Sequence, residues 1–206
     1  MPNAHRLQPA ELQRLKHAVD AFPPRAVANY LLSVCIEHGT DSFFYFDQAE
    51  FLSEIDGFYS DPTSNLRYDA GFICLALATF ALGSQWTTLT SLNGSASPLH
   101  AAGDEVGRAF YEQARLLVPD LDESTSLRSV QAPFVLGVYL LPGRATGSLH
   151  MHLGLALRKA IALDLHVNAE GTHLSARERE IRSRIWWAVF SLERQAFRIS
   201  SLEVLI

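Results

Sequence analysis

Between Asp69 and Asp104 the chain carries no Asp, Glu, Lys or Arg, and this stretch opens on AGFICLALATFALG, Ala70 to Gly83. So apolar a run must be removed from water, and how it is removed limits what the chain can fold into. At about 14 residues it falls short of the roughly 20 that a helix needs to cross a bilayer. The segment that follows, SQWTTLTSLNGSASP from Ser84 to Pro98, reads as a polar loop. The spacing therefore predicts a helix sheathed on all sides by other protein, with no membrane involved.

The sheath has to come from the rest of the chain, where helical periodicity dominates. Leu12, Leu15, Val19 and Phe22 fall on one stripe, which Pro23 and Pro24 end. Val27, Tyr30, Leu31, Val34 and Cys35 repeat at helical spacing up to Gly39. Phe43 to Phe46 is a short aromatic, extended stretch. Asp47 then reads as the N-cap of a helix that buries Phe51, Leu52 and Ile55. Further helices are expected over Leu99–Leu117 and from Ser124, the latter carrying Pro133 inside it and ending at Pro142-Gly143. Another holds Leu149, Leu153, Ala156, Ala160 and Leu163 on one face. Ser175 and Glu178 form a capping box for the last helix. Strand signals are almost absent, and the expected fold is all-α, an irregular array of antiparallel helical hairpins. Residues 1–23 read as an N-terminal helix and linker and 24–206 as the body of the domain.

Composition excludes several function classes. With 48% apolar and 19% charged residues the chain is globular rather than disordered. A net charge of −5 opposes wrapping around phosphate backbones. The only two cysteines, Cys35 and Cys74, sit in apolar contexts and read as reduced core thiols of an intracellular protein. They cannot build a disulfide scaffold or a four-cysteine zinc site. The opening MPNAHRLQPAELQRLKHAV lacks the apolar centre of a secretory signal.

Chemistry-bearing motifs are also missing: there is no phosphate-binding glycine loop and no nucleophile elbow. His150 and His152, two residues apart, point away from each other on a helix and do not suit a shared metal. Asp47, Glu50 and Glu54 read as a solvated acidic face. Arg177, Arg179, Arg182 and Arg184, interleaved with Glu178 and Glu180, read as a salt-bridged helix start. No catalytic, metal-binding or DNA-binding residue is assigned, no cofactor is expected, and the chain is not expected to be an enzyme.

The segment IRSRIWWAVFSLERQ, Ile181 to Gln195, places Ile181, Ile185, Ala188, Val189, Leu192, Ala196 and Ile199 on one helix face and Trp186, Phe190 and Phe197 on the other. A helix apolar on two faces is expected to lie between layers, which makes Trp186 and Trp187 core residues. The arginines are expected to clamp nearby carboxylates or helix C-terminal carbonyls.

GLALRKAIALDLH (Gly154 to His166), followed by LSARERE and IRSRIWW and closing on LER at Arg194, resembles the signature of the fungal-specific transcription factor domain. That domain is the middle homology region of the fungal zinc-cluster transcription factors. FFYFDQAEFLSEI, GFICLALATFALGSQ and YEQARLLV agree in order, and Gln131 stands at the family's usual glutamine. The signature residues are Gly154, Arg158, His166, Arg184, Trp186, Trp187 and Arg194, and their role is mainly structural.

The resemblance implies a nuclear transcription regulator, of a kind associated with secondary metabolism, in which this region controls activity. A small-molecule effector is expected, or pairing as a homodimer or as a heterodimer with a related regulator. The expected pocket or partner surface is lined by Phe43, Phe44, Tyr139, Trp186 and Phe190. The chain departs from the family in having no six-cysteine zinc cluster, so direct DNA binding is not carried over. Family members continue past the residue corresponding to Arg194 into further helices, so this chain is expected to be a partial domain. Pro133 also replaces a plain apolar residue. The rival readings are a stand-alone helical interaction module and a small helical enzyme of a biosynthetic pathway.

Overall fold

The structure is a computed structural model that describes residues 7–40, 42–91, 99–143, 146–167 and 173–203. Eight α-helices appear among the described residues, with no strand: α1 (Pro9–Asp20), α2 (Arg25–Val34), α3 (Gln48–Ser60), α4 (Ala70–Ser91), α5 (Leu99–Leu116), α6 (Arg128–Leu140), α7 (Thr146–Ala162) and α8 (Ala176–Glu203). The protein is all-α.

Local chemistry sets the boundaries. Pro9 opens α1, where its missing N–H costs nothing. Pro23 and Pro24 then separate α1 from α2. The last turn of α2 widens into a π-turn over Cys35–Gly39, and an irregular stretch follows, with Phe43 to Phe46 outside any regular element. Asp47 caps α3 by accepting from the Glu50 N–H at 3.1 Å. Within α3, Phe51, Ile55 and Phe58 are buried whereas Leu52 is exposed.

The uncharged segment becomes the central helix. From Phe72 through Leu82 no residue of α4 is more than 2% exposed. Helices α1, α2, α5 and α6 all pack against it. Ala70–Thr87 is long and apolar enough to cross a membrane, but 78% of it is buried by the rest of the protein, as befits a core helix.

The helix also runs through Ser84–Ser91, where the sequence reads as loop. Hydroxyls remain in it by bonding backward along the backbone, Ser84 Oγ to the Ala81 carbonyl (2.7 Å) and Thr87 Oγ1 to the Ser84 carbonyl (2.6 Å). The remainder of the expected loop, 92–98, lies outside the described residues.

One further expectation needs correction and another is met. In α2 the buried residues are Ala28, Leu31, Leu32 and Val34, continued by Cys35 in the π-turn, while Val27 and Tyr30 face solvent. The cause is proximity: a Cβ at Gly83 of α4 would lie 3.0 Å from the Leu31 carbonyl carbon and closer still to its oxygen, so α2 and α4 meet backbone to backbone. Small Ala28 fits such a seam and bulky Tyr30 does not. In α6, Pro133 lies inside the helix as expected and is buried, and the helix continues past it to Leu140. The ladder bond to the Ser129 carbonyl is lost, and burial in the core outweighs that loss.

Polar ties fix the outer elements. Arg128 at the start of α6 bridges Glu54 of α3 and Asp69 just before α4. Arg14 of α1 pairs with Asp120 beyond α5. Gln131 Nε2 donates to the Tyr45 carbonyl at 2.9 Å and Tyr45 Oη donates to the Gly39 carbonyl at 2.9 Å, which pins the irregular Phe43–Asp47 stretch between the π-turn and α6.

Candidate functional site: the outer surface of α8

Helix α8 starts at the expected capping box. The Glu178 carboxylate accepts from the Ser175 N–H at 2.7 Å, and Ser175 Oγ accepts from the Glu178 N–H at 3.2 Å. Hydrogen bonding from the Ser175 side chain and backbone N–H holds the Glu178 carboxyl below its usual range. One face, Ile185, Ala188, Val189, Leu192 and Ala196, is buried, and α7 is its main support. The side chains of Phe197 and Ile199 lie outside the described residues.

No second layer covers the opposite face among the described residues, so the expectation that both tryptophans are core is corrected. Trp187 is 59% exposed and Trp186 is only half-buried. Trp186 packs partly buried against the core, and the rings also pack on one another. Trp186 stacks on Phe190 with centroids 5.4 Å apart, Trp187 meets Phe190 edge-on at 6.0 Å, and the His166 ring lies 5.6 Å from Trp186. Arg194 covers the outer end, its guanidinium carbon 5.3 Å from the Phe190 centroid. The result is an aromatic ridge on the protein surface.

A cleft lies on each side of the N-terminal half of α8. One, of about 440 Å³, is lined by His166, Arg179, Glu180, Arg182, Trp186 and Trp187 among others. Its arginines are committed to backbone: Arg182 Nη2 donates to the Leu163 carbonyl at the end of α7 (2.5 Å), and Arg179 Nη1 donates to the Leu174 carbonyl (2.8 Å). The expectation of helix C-terminal carbonyls as arginine partners holds for Arg182.

The other cleft, of about 620 Å³, lies between α8 and the stretch leading into α3. Thr40, Phe43, Phe44, Asp47, Gln48, Arg177 and Arg184 contribute to it. Arg177 and Arg184, two helical turns apart, project from the same side of α8. Arg177 Nη2 bonds Asp47 Oδ2 at 2.8 Å. The Glu50 backbone bond and the Arg177 guanidinium together hold the Asp47 carboxyl below its usual range. Arg184 sits over the Phe44 ring, 4.0 Å from its centroid.

Of the five residues expected to form a pocket, Phe43 and Phe44 line the larger cleft, Trp186 lines the smaller, and Phe190 belongs to the ridge between rings. Tyr139 lines neither. It stacks on Tyr111 of α5 at 5.1 Å, and its carbonyl accepts from Gln85. Arg158 is exposed on α7, and a Cβ at Gly154 would meet nothing within 4 Å.

Asp47 and Glu54, read as a solvated acidic face, are instead partners of Arg177 and Arg128. Sequence spacing within α3 carries no sign of either pairing, because both arginines come from distant elements. His152 is partly buried with its Nε2 3.2 Å from Tyr111 Oη, and burial lowers its pKa. No group of three or more His, Cys, Asp or Glu side chains converges on a metal-sized site among the described residues.

The architecture is that of an all-helical domain that presents clefts and an aromatic surface, and its tightly paired charges serve structure. The fungal specific transcription factor domain matches residues 40–203, and the chain belongs to that family. An uncharacterised transcriptional regulatory protein of Schizosaccharomyces pombe is 28% identical over 94% of this chain and 23% of its own length. The thiamine repressible genes regulatory protein of the same yeast is 28% identical over 88% of this chain and 23% of its own. The sorbicillinoid biosynthetic cluster transcription factor of Hypocrea jecorina is 28% identical over 84% and 25%. The chain thus spans about a quarter of the length of these relatives. No solved structure matches it.

Proposed function

We propose that the chain is the regulatory domain of a nuclear transcription regulator and performs no catalysis. The observation that carries this reading is the family match over residues 40–203, and the relatives named as transcriptional regulators support it. The absence of the six-cysteine zinc cluster from this sequence means that DNA contact belongs to another module or another chain. The domain's own contribution is response, to an effector or to a partner. The kinship with a sorbicillinoid cluster factor supports a target in secondary metabolism. The test is a reporter assay with residues 1–206 fused between a heterologous DNA-binding domain and an activation segment. Reporter output that depends on growth condition supports the reading, and output identical to a fusion lacking the domain under every condition refutes it.

A second reading, favoured by exposed Trp187 beside the half-buried rings of Trp186 and Phe190, is pairing of two copies through α8. The solvent side of α8 carries Glu180, Arg184 and Arg194 around the rings, so a two-fold contact brings opposite charges together. Sedimentation of the chain and of Trp187→Ser tests it, with a dimer expected only for the unsubstituted chain.

A further inference from the structure

Resting on the reading of the chain as a responsive regulatory domain, we infer that the cleft between Phe43–Gln48 and α8 binds a small monocarboxylate with a flat apolar body, through Arg184 and the Phe43–Phe44 pair.

Three observations meet here. The volume, about 620 Å³, lies within the range of sites that hold small organic molecules. The wall from the chain before α3 is aromatic, with Phe43 held edge-on by Phe134 at 6.0 Å and Phe44 under a guanidinium. Among the described residues the charges facing the cleft are Arg177, Arg184 and Asp47, and they do not balance. Arg177 and Asp47 neutralise one another. Arg184 makes no hydrogen bond or ion pair among the described residues, and its interaction with Phe44 uses only the flat face of the guanidinium. The planar fork of N–H donors along its edge is left uncommitted, and a carboxylate matches that fork with two parallel bonds.

The rest of the wall specifies the body of the ligand. A free phosphate or a polyanion calls for several cations, and among the described residues this cleft has one to spare. A flat apolar group next to the carboxylate displaces water from the Phe43 and Phe44 rings and adds their contact to the charge-assisted bonds. The floor is also anchored: the stretch that carries both phenylalanines is tied to α6 by the bond from Gln131 to the Tyr45 carbonyl and to the π-turn by Tyr45 Oη. A ligand that pulls Arg184 toward this stretch therefore draws α8 against an already fixed wall.

Cinnamate is the probe, with cinnamamide as its uncharged analogue and inorganic phosphate as an anion without an apolar body. Titration calorimetry of the 206-residue chain is expected to give cinnamate a Kd on the order of 0.1–1 mM, cinnamamide at least about tenfold weaker binding, and phosphate none in that range. Arg184→Gln is expected to weaken cinnamate at least about tenfold and Arg184→Lys about threefold, because lysine keeps the charge and loses the fork. Arg158→Gln, an exposed arginine of α7 outside the cleft, leaves binding unchanged. Thermal melting confirms that each variant is folded, and the cinnamate–cinnamamide comparison stands without any variant. Cinnamate binding that survives Arg184→Gln, equal binding of the amide, equal binding of phosphate, or no cinnamate binding at 10-fold above that range (about 10 mM) each overturns the inference. None of these outcomes touches the regulatory reading, which the reporter fusion decides separately.

Discussion

Replacing a helical glycine by alanine has opposite expected effects at two positions of this fold. Gly57 lies in α3, and a Cβ there meets nothing within 4 Å. Alanine at that position gains helix propensity, about 0.5–1 kcal/mol, with no steric cost. Gly83 lies in α4 against α2, where the new Cβ would come 3.0 Å from the Leu31 carbonyl carbon and nearer its oxygen. The obstacle is backbone inside a helix, so no side-chain rotation relieves it. Overpacking of that kind costs about 1–3 kcal/mol, and a propensity gain of about 1 kcal/mol offsets only part of it.

Gly57→Ala is therefore expected to raise the urea midpoint and Gly83→Ala to lower it, with the two variants separated by roughly 1–3 kcal/mol. In thermal melts that gap corresponds to about 2–4 °C per kcal/mol for a domain of this size. The m-value of Gly57→Ala should match that of the unsubstituted chain. If Gly83→Ala is stabilised as much as Gly57→Ala, then α2 and α4 do not meet at the seam described and the packing argument fails.

Other expectations follow from the polar ties. Asp47 has a depressed carboxyl pKa in the folded chain, so its contribution is present above the unfolded-state pKa and is lost as pH falls through the folded value. Asp47→Ala should cost about 0.5–2 kcal/mol at pH 7 and much less in strong acid, as read by urea titrations at both pH values. Arg128→Met removes the cation shared by Glu54 and Asp69, whereas burial already raises the Glu54 pKa. The variant should lose about 1–3 kcal/mol at pH 7 and recover part of it on acidification as the carboxyls protonate. Equal losses at both pH values would refute the bridging role. Burial pushes the Cys35 thiol up to about 12 and raises Cys74 further still, so neither should react with a thiol reagent at pH 8 until urea unfolds the chain. Labelling of the folded chain at the rate of a free thiol would contradict the burial of both.

The elements that depend on local chemistry were legible in the sequence. Asp47 and the Ser175–Glu178 box cap their helices as expected, and Pro23-Pro24 separates α1 from α2 as expected, because caps and stops need only neighbouring residues. The central helix was legible for the same reason that it is buried: a long uncharged run has few places to go.

Most of what failed depended on partners far along the chain. Val27 and Tyr30 are more apolar than Ala28, yet the close approach of α4 selects the smaller side chain. Ser84 and Thr87 resemble loop residues in composition and remain helical by bonding to their own backbone. Trp186 and Phe190 satisfy the pattern of a helix with two apolar faces, but periodicity identifies a face without saying how fully anything covers it. The larger cleft was half legible. Phe43, Phe44 and Arg184 were each singled out, but nothing local brings residues 43–48 to α8.

The enclosure of α4 has a consequence for how the polypeptide is made. Phe72–Leu82 leaves the ribosome after α1, α2 and α3, which supplies Phe51 and Phe58 against Phe72, and before its other two neighbours, α5 and α6, have emerged. Until then this greasy rod is the stretch that holdase chaperones should capture. Ribosome-bound intermediates stalled between α4 and α6 should be the aggregation-prone species in its biogenesis.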